Sequence, residues 1–275
     1  MFQYFSQDID QIKISKVQYF SIAICFLMNV LDGMDVLVVS YCAPAIAQAL
    51  KLGPKTLGIV FSAGLVGMAI GAIFLAPYAD KFGRKKLILA SAFIMGFSVL
   101  LTALSENILQ LVIMRLISGL GIGCMLATTA TLTSENVLNN SKDFWVSLVI
   151  SGYPVGAVIS GYIAATVIPS YGWESMFIFA GLTTLLTIPL TYFFLTESPQ
   201  FYLKKQPFGA LEKVNKLFIK MNLRPLDNLP EFRLNLKNKP LVSQLFSNKY
   251  KLSTLQLWAA LFFAFGCLYF LISWI

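Results

Sequence analysis

Apolar residues come in long, nearly unbroken blocks along most of this chain, with few of the helical or alternating intervals of a soluble domain. A helix that is apolar on every side is surrounded by a large core or by lipid. Crossing a bilayer core of about 30 Å takes about 20 such residues. The blocks predict spans at 17–39, 57–79, 87–105, 108–133, 143–168, 173–195 and 253–275. The first block starts too late, runs too long and lacks the cleavage site of a removable leader, so it counts as a span. The polar intervals divide the chain into an N-terminal tail (1–16), a six-helix unit (17–195), a long polar connection (196–252) and a seventh helix (253–275). Inside the connection, 211–221 has helical periodicity, and Pro225, Pro230 and Pro240 break the stretch beyond it. The pattern is that of an all-α integral membrane protein with seven spans.

Composition sharpens this picture. Of 275 residues, 57% are hydrophobic and 12% charged, about half the charge of a soluble domain. Mean hydropathy is +0.73. Disordered, collagenous, nucleic-acid-binding and ordinary soluble-enzyme classes are excluded, despite a net charge of +8. There is no histidine, which removes imidazole acid–base chemistry and most zinc and haem sites. Cys25, Cys42, Cys124 and Cys267 fall in predicted spans or at their ends without paired spacing, so they read as packing residues and imply neither disulfide nor metal site. No cofactor is expected, and no nucleophile–base constellation suggests an enzyme.

The positive charge has an address. With the N-terminus placed in the cytoplasm, eighteen of the 21 basic residues lie inside, only Lys51 and Lys55 lie outside, and Arg115 is within a span. That asymmetry predicts the orientation and a multi-pass protein of the inner or plasma membrane. Eleven of the basic residues sit in 197–252 against four acidic ones, suiting anionic headgroups; no motif there suggests nucleic acid.

Ionisable residues inside a bilayer are costly and are functional candidates by default. Asp32 and Asp35 lie in the first span at i, i+3, on one helix face, with Gly33 between them. At 1.5 Å per residue, Asp32 is roughly 22 Å into its span and Arg115 roughly 10 Å into its own, which runs the opposite way. The three charges are therefore expected at similar height, meeting in an internal, partly hydrated cavity that holds an anion or a proton. Two readings stand: a structural ion pair that fixes helix register, or a carboxylate that takes up a proton.

The loop after the second span reads Ala76-Pro77-Tyr78-Ala79-Asp80-Lys81-Phe82-Gly83-Arg84-Lys85-Lys86. It resembles the G-x-L-A-D-R-x-G-R-K signature of the major facilitator superfamily, with Ala76 at the first glycine. That resemblance implies a gating role for Asp80, Gly83, Arg84 and Lys85. Arg115 with Gly119, Gly121 and Gly123 resembles the superfamily's fourth-helix motif, where glycines let helices pack closely. Gly152-Tyr153-Pro154-Val155-Gly156 resembles the fifth-helix motif that permits bending. Glu197-Ser198-Pro199 resembles the cytoplasmic P-E-S-P-R motif, with Thr196 and Gln200 in place of its first proline and its arginine. Asp32-Gly33-Met34-Asp35 is similar to the D-G-F-D motif of the aromatic acid:proton symporter branch. Gly172-Trp173 with Phe177, Thr133-Ser134-Glu135 and the segment from Tyr269 to Trp274 also resemble that branch.

The resemblance implies alternating-access uptake of a small organic anion, typically an aromatic carboxylate, together with protons. Asp32, Asp35 and Arg115 would serve coupling and binding. A sugar, nicotinate-like metabolite or drug carrier of the same superfamily is the alternative, as is a non-transporting truncated membrane protein. The superfamily fold has two six-helix halves. The chain is thus expected to supply seven of twelve spans and to lack its C-terminal half.

Overall fold

The computed structural model describes residues 14–137, 141–230, 247 and 250–274. Residues 1–13 of the predicted N-terminal tail, with Lys13, the break at Pro240, most of the second half of the polar connection, and the side chains of Leu268, Tyr269 and 272–274 lie outside the described residues. Two compact units are present, meeting in sequence at Leu229 and Pro230.

The first unit is built from six helices long and apolar enough to cross a membrane. These are α1 (Lys16–Ala49), α2 (Pro54–Phe82, regular over Pro54–Ile70), α3 (Arg84–Thr102), α4 (Ile108–Asn136), α5 (Lys142–Tyr171) and α6 (Trp173–Phe194). Two shorter helices follow, α7 (Pro199–Lys205) and α8 (Ala210–Lys220). The second unit contains α9 (Lys251–Trp274), the predicted seventh apolar helix. The expected all-α architecture is therefore observed.

Helix starts follow local chemistry. Ser15 caps α1 in a reciprocal box with Gln18, and Asn107 caps α4 by accepting from the Gln110 N–H. Two predicted boundaries are corrected. α1 does not stop at 39 but continues to Ala49, carrying Pro44 inside it, because Val39, Cys42, Ala43 and Ile46 still have a core to enter. α2 does not end near 79. Its backbone loosens to a π turn at Gly71–Leu75, tightens at Ala76–Tyr78, and finishes in a helical turn, Ala79–Phe82.

In lipid, helices gain little from burying apolar surface and rely on close backbone approach. Three crossings provide it. At α1/α5, a Cβ on Gly33 would collide with the Tyr153 carbonyl, and one on Gly156 with the Val30 carbonyl. At α2/α4, Gly67 faces Gly119, and Gly123 faces Met68. At α3/α6, Gly96 and Gly181 lie opposite each other. The glycines read from sequence as packing residues thus meet specific backbones. Pro154 lies inside α5 between Gly152, which faces the Phe26 carbonyl of α1, and Gly156.

All four cysteines are free, and Cys25, Cys42 and Cys124 are buried as expected of packing residues.

Candidate functional site

Two clusters of charge occupy the first unit. In the middle of α1, Asp32 and Asp35 are fully buried, and Arg115 of α4 is 3% exposed. The guanidinium grips α1 with two nitrogens: Nη2 donates to Asp35 Oδ1 at 3.1 Å, and Nη1 to the Asp35 backbone carbonyl at 3.2 Å. Its Cζ lies over the ring of Phe177 on α6, 5.1 Å from the ring centre. An arginine is suited to this double use as planar fork and stacking cation. The depth arithmetic that paired spans one and four is thus met for Asp35 and Arg115.

Asp32 is different, and here the expectation that all three charges meet is corrected. Neither of its carboxylate oxygens has a hydrogen-bond partner among the described residues. One helical turn separates it from Asp35, and the arginine's fork is already committed to that neighbour. A cavity of about 30 Å³ opens beside the arginine, with Ser118 in its wall among Val36, Val39, Phe61 and Met68. That volume is enough for a water molecule next to a charged group. Of the three charges, only Arg115 lines this cavity.

The second cluster gathers where α2 ends and α3 begins. Gly83 turns the chain at φ +101°, a region that an L side chain rarely adopts, and a Cβ there would strike the Glu197 carboxylate. Arg84, buried, pairs with Asp80 one turn back and donates to the Ala79 carbonyl. It also holds Glu135 at the end of α4, with Nη2–Oε1 and Nε–Oε2 both at 3.0 Å. Glu197 occupies the open start of α3, where Oε1 accepts from the Arg84 N–H at 2.8 Å and from the Lys85 N–H at 3.3 Å. A carboxylate at a helix N-terminus satisfies orphan donors and meets the positive end of the dipole. Lys85 reaches away, to the Tyr192 carbonyl at 2.7 Å on α6. Ser198 caps α7 and Pro199 takes its first position.

Asp80, Gly83, Arg84 and Lys85 of the loop signature, together with Glu197, therefore sit in one knot joining the end of α2 to α3, α4, α6 and α7. Sequence reasoning missed the partnership of Arg84 with Glu135 and the capping of α3 by Glu197. The only available signal was that both acids stand at the polar edge of long apolar blocks.

Six apolar helices that bury ionisable side chains within the bundle define a multi-pass membrane protein. The chain belongs to the major facilitator superfamily, whose family model matches residues 25–275. Among curated relatives, it is 32% identical to a gallate transporter of Pseudomonas putida, over 97% of this chain and 60% of that protein. It is 33% identical to a 4-hydroxybenzoate transporter of Acinetobacter baylyi, over 97% of this chain and 59% of that one. The chain thus spans about 60% of the length of these relatives. Among solved structures it is similar to the inward-open xylose transporter XylE from E. coli, with a TM-score of 0.62 at 21% identity, covering 74% of this chain and 54% of that one. At that identity the likeness concerns the fold.

Proposed function

We propose that this chain forms the proton-coupling part of a symporter for a small aromatic carboxylate, its N-terminus in the cytoplasm. One observation carries the proposal: the buried, unpartnered carboxylate of Asp32 lies one turn from the ion pair of Asp35 with Arg115. Burying an unpaired charge is costly, and a carboxyl group escapes that cost by binding a proton. The neighbouring pair is already balanced, so it keeps the arginine's charge in the membrane without holding Asp32 ionised. The relatives carrying the names gallate transporter and 4-hydroxybenzoate transporter support the substrate class. The knot around Arg84 would lock helix ends together on the cytoplasmic side in one conformation, and the glycine crossings would let helices slide without opening gaps. Transport requires a second wall for the substrate site, so a C-terminal half is proposed as the partner of this one.

The test is uptake of labelled 4-hydroxybenzoate, gallate and xylose by proteoliposomes carrying this chain together with its proposed C-terminal half, with and without an inward proton gradient. Gradient-driven uptake of the aromatic acids is expected. It should disappear in Asp32→Asn with membrane insertion intact. Uptake of xylose in preference to the acids, or full gradient-driven uptake by Asp32→Asn, would overturn the reading.

A further inference from the structure

Asp32 stands at one end of a polar seam that runs along the contact between α1 and α4. On α1 the seam comprises Gln18, Ser21, Cys25, Asn29 and Asp32, spaced three or four residues apart and so on one face. On α4 it comprises Thr129, Thr133 and Asn136, spaced likewise. All eight side chains are buried. Asn29 Nδ2 donates to Thr129 Oγ1 at 3.0 Å, tying the two helices one turn from Asp32. Gln18 donates to the Asn136 carbonyl, and Ser21 Oγ meets Thr196 Oγ1 at 2.8 Å. The far end thus touches residues adjacent to Glu135 and Glu197, the acids of the Arg84 knot.

The seam is rich in polar atoms left without partners. Both oxygens of Asp32, Oδ1 of Asn29, and Nδ2 and Oδ1 of Asn136 are buried with no hydrogen bond among the described residues. Buried polar atoms are satisfied by protein or by ordered water, and in an apolar bundle Leu or Val at these positions would pack without that demand. Fourteen residues of α1 separate Gln18 from Asp32, about 21 Å of helix, so the orphaned atoms mark both ends of a path through most of the membrane.

We infer that this seam is the proton-release path of the transporter, a file of hydroxyls and waters leading from Asp32 to the Glu135 end. The inference rests on the coupling role proposed above for Asp32. A proton leaves the Asp32 carboxyl for a water held between it and Asn29. Each member of the file then passes one proton on, and one enters bulk water at the far end. Asp32 is left as the carboxylate, and no other bond changes. Asn29 and Thr129 are positioning residues, aligning the first acceptor. The titratable groups that act on Asp32 or feel it are Asp35 on its own helix, itself paired with Arg115, and the Cys124 thiol on α4.

The test compares Asn29→Leu and Thr129→Val, each in proteoliposomes that also carry the proposed C-terminal half, with labelled 4-hydroxybenzoate. Gradient-driven uptake should fall about tenfold in Vmax with little change in KM, because substrate binding is untouched. Exchange of external label for internal substrate at equal pH should persist near the wild-type rate, since a carrier can shuttle its proton back without releasing it. Thr129→Ser, which keeps the hydroxyl, should retain uptake. Wild-type uptake rates in both Asn29→Leu and Thr129→Val would overturn the inference. So would equal loss of exchange and uptake in both, which would make the seam a packing feature. Wild-type uptake that ignores the gradient would instead remove the coupling role of Asp32, and the path with it.

Discussion

Asp32 and Asp35 are the same residue type, three positions apart, and equally buried, yet their energetics have opposite signs. Asp35 neutralises Arg115 through a hydrogen-bonded pair, so Asp35→Asn strands a cation in the bundle. Breaking such a pair from one side costs about 3–5 kcal/mol. Asp32 has no counterpart hydrogen bond to lose, and Asp32→Asn removes a costly buried acid. In detergent, the thermal midpoint of Asp35→Asn should fall well below that of the parent, while Asp32→Asn should match or exceed it. Equal destabilisation by both would contradict the assignment. At this scale the sequence was partly legible. Counting 1.5 Å steps from two span edges brought Arg115 to the height of the aspartates, because helix rise is constant. It could not tell which aspartate receives the guanidinium, since that depends on the rotation of α1 about its own axis, which the Gly33 and Gly156 contacts with α5 help to set.

Among the elements, α3 is unusual in borrowing its N-terminal cap from a residue more than a hundred positions away. Gly83 has no side chain to offer, and the Glu197 carboxylate enters the space this leaves. Glu197→Ala should cost about 0.5–2 kcal/mol, the range for loss of an N-cap. Hydrogen exchange should speed up at the amides of Arg84 and Lys85 while the middle of α3 stays protected. Uniform exchange along α3 would contradict a capping role. The superfamily signature made Asp80, Gly83 and Arg84 legible because they are close together in one loop. Glu135 and Glu197 were hidden as partners because they reach the knot from other parts of the chain, and only the fold makes them neighbours. The π turn at Gly71–Leu75 was equally invisible, since nothing in apolar composition separates one hydrogen-bonding register from the next.

For the whole molecule, the lipid-facing blocks told nearly everything about fold class, because the bilayer allows few solutions to a polar backbone. Orientation is proposed from the distribution of Lys and Arg, and it can be checked directly. A single cysteine at Lys204 in a cysteine-free background should react with an impermeant maleimide in inside-out vesicles and not in intact cells. A cysteine at Lys55 should do the reverse, and the opposite pattern would invert the proposed topology. What the blocks concealed was the length of α1. Ser40, Tyr41 and Pro44 look like the close of a span, yet the helix runs 34 residues, about 51 Å, against a hydrocarbon core of about 30 Å. A rod of that length projects well past the hydrocarbon or lies strongly inclined in it. Its interior proline lacks the N–H that would bind the Ser40 carbonyl, which makes Pro44 a natural point of bending. On the N-terminal side of that joint α1 is one uninterrupted lever, so a push delivered near Tyr41 arrives at the Gln18 contact with Asn136 without passing through any loop.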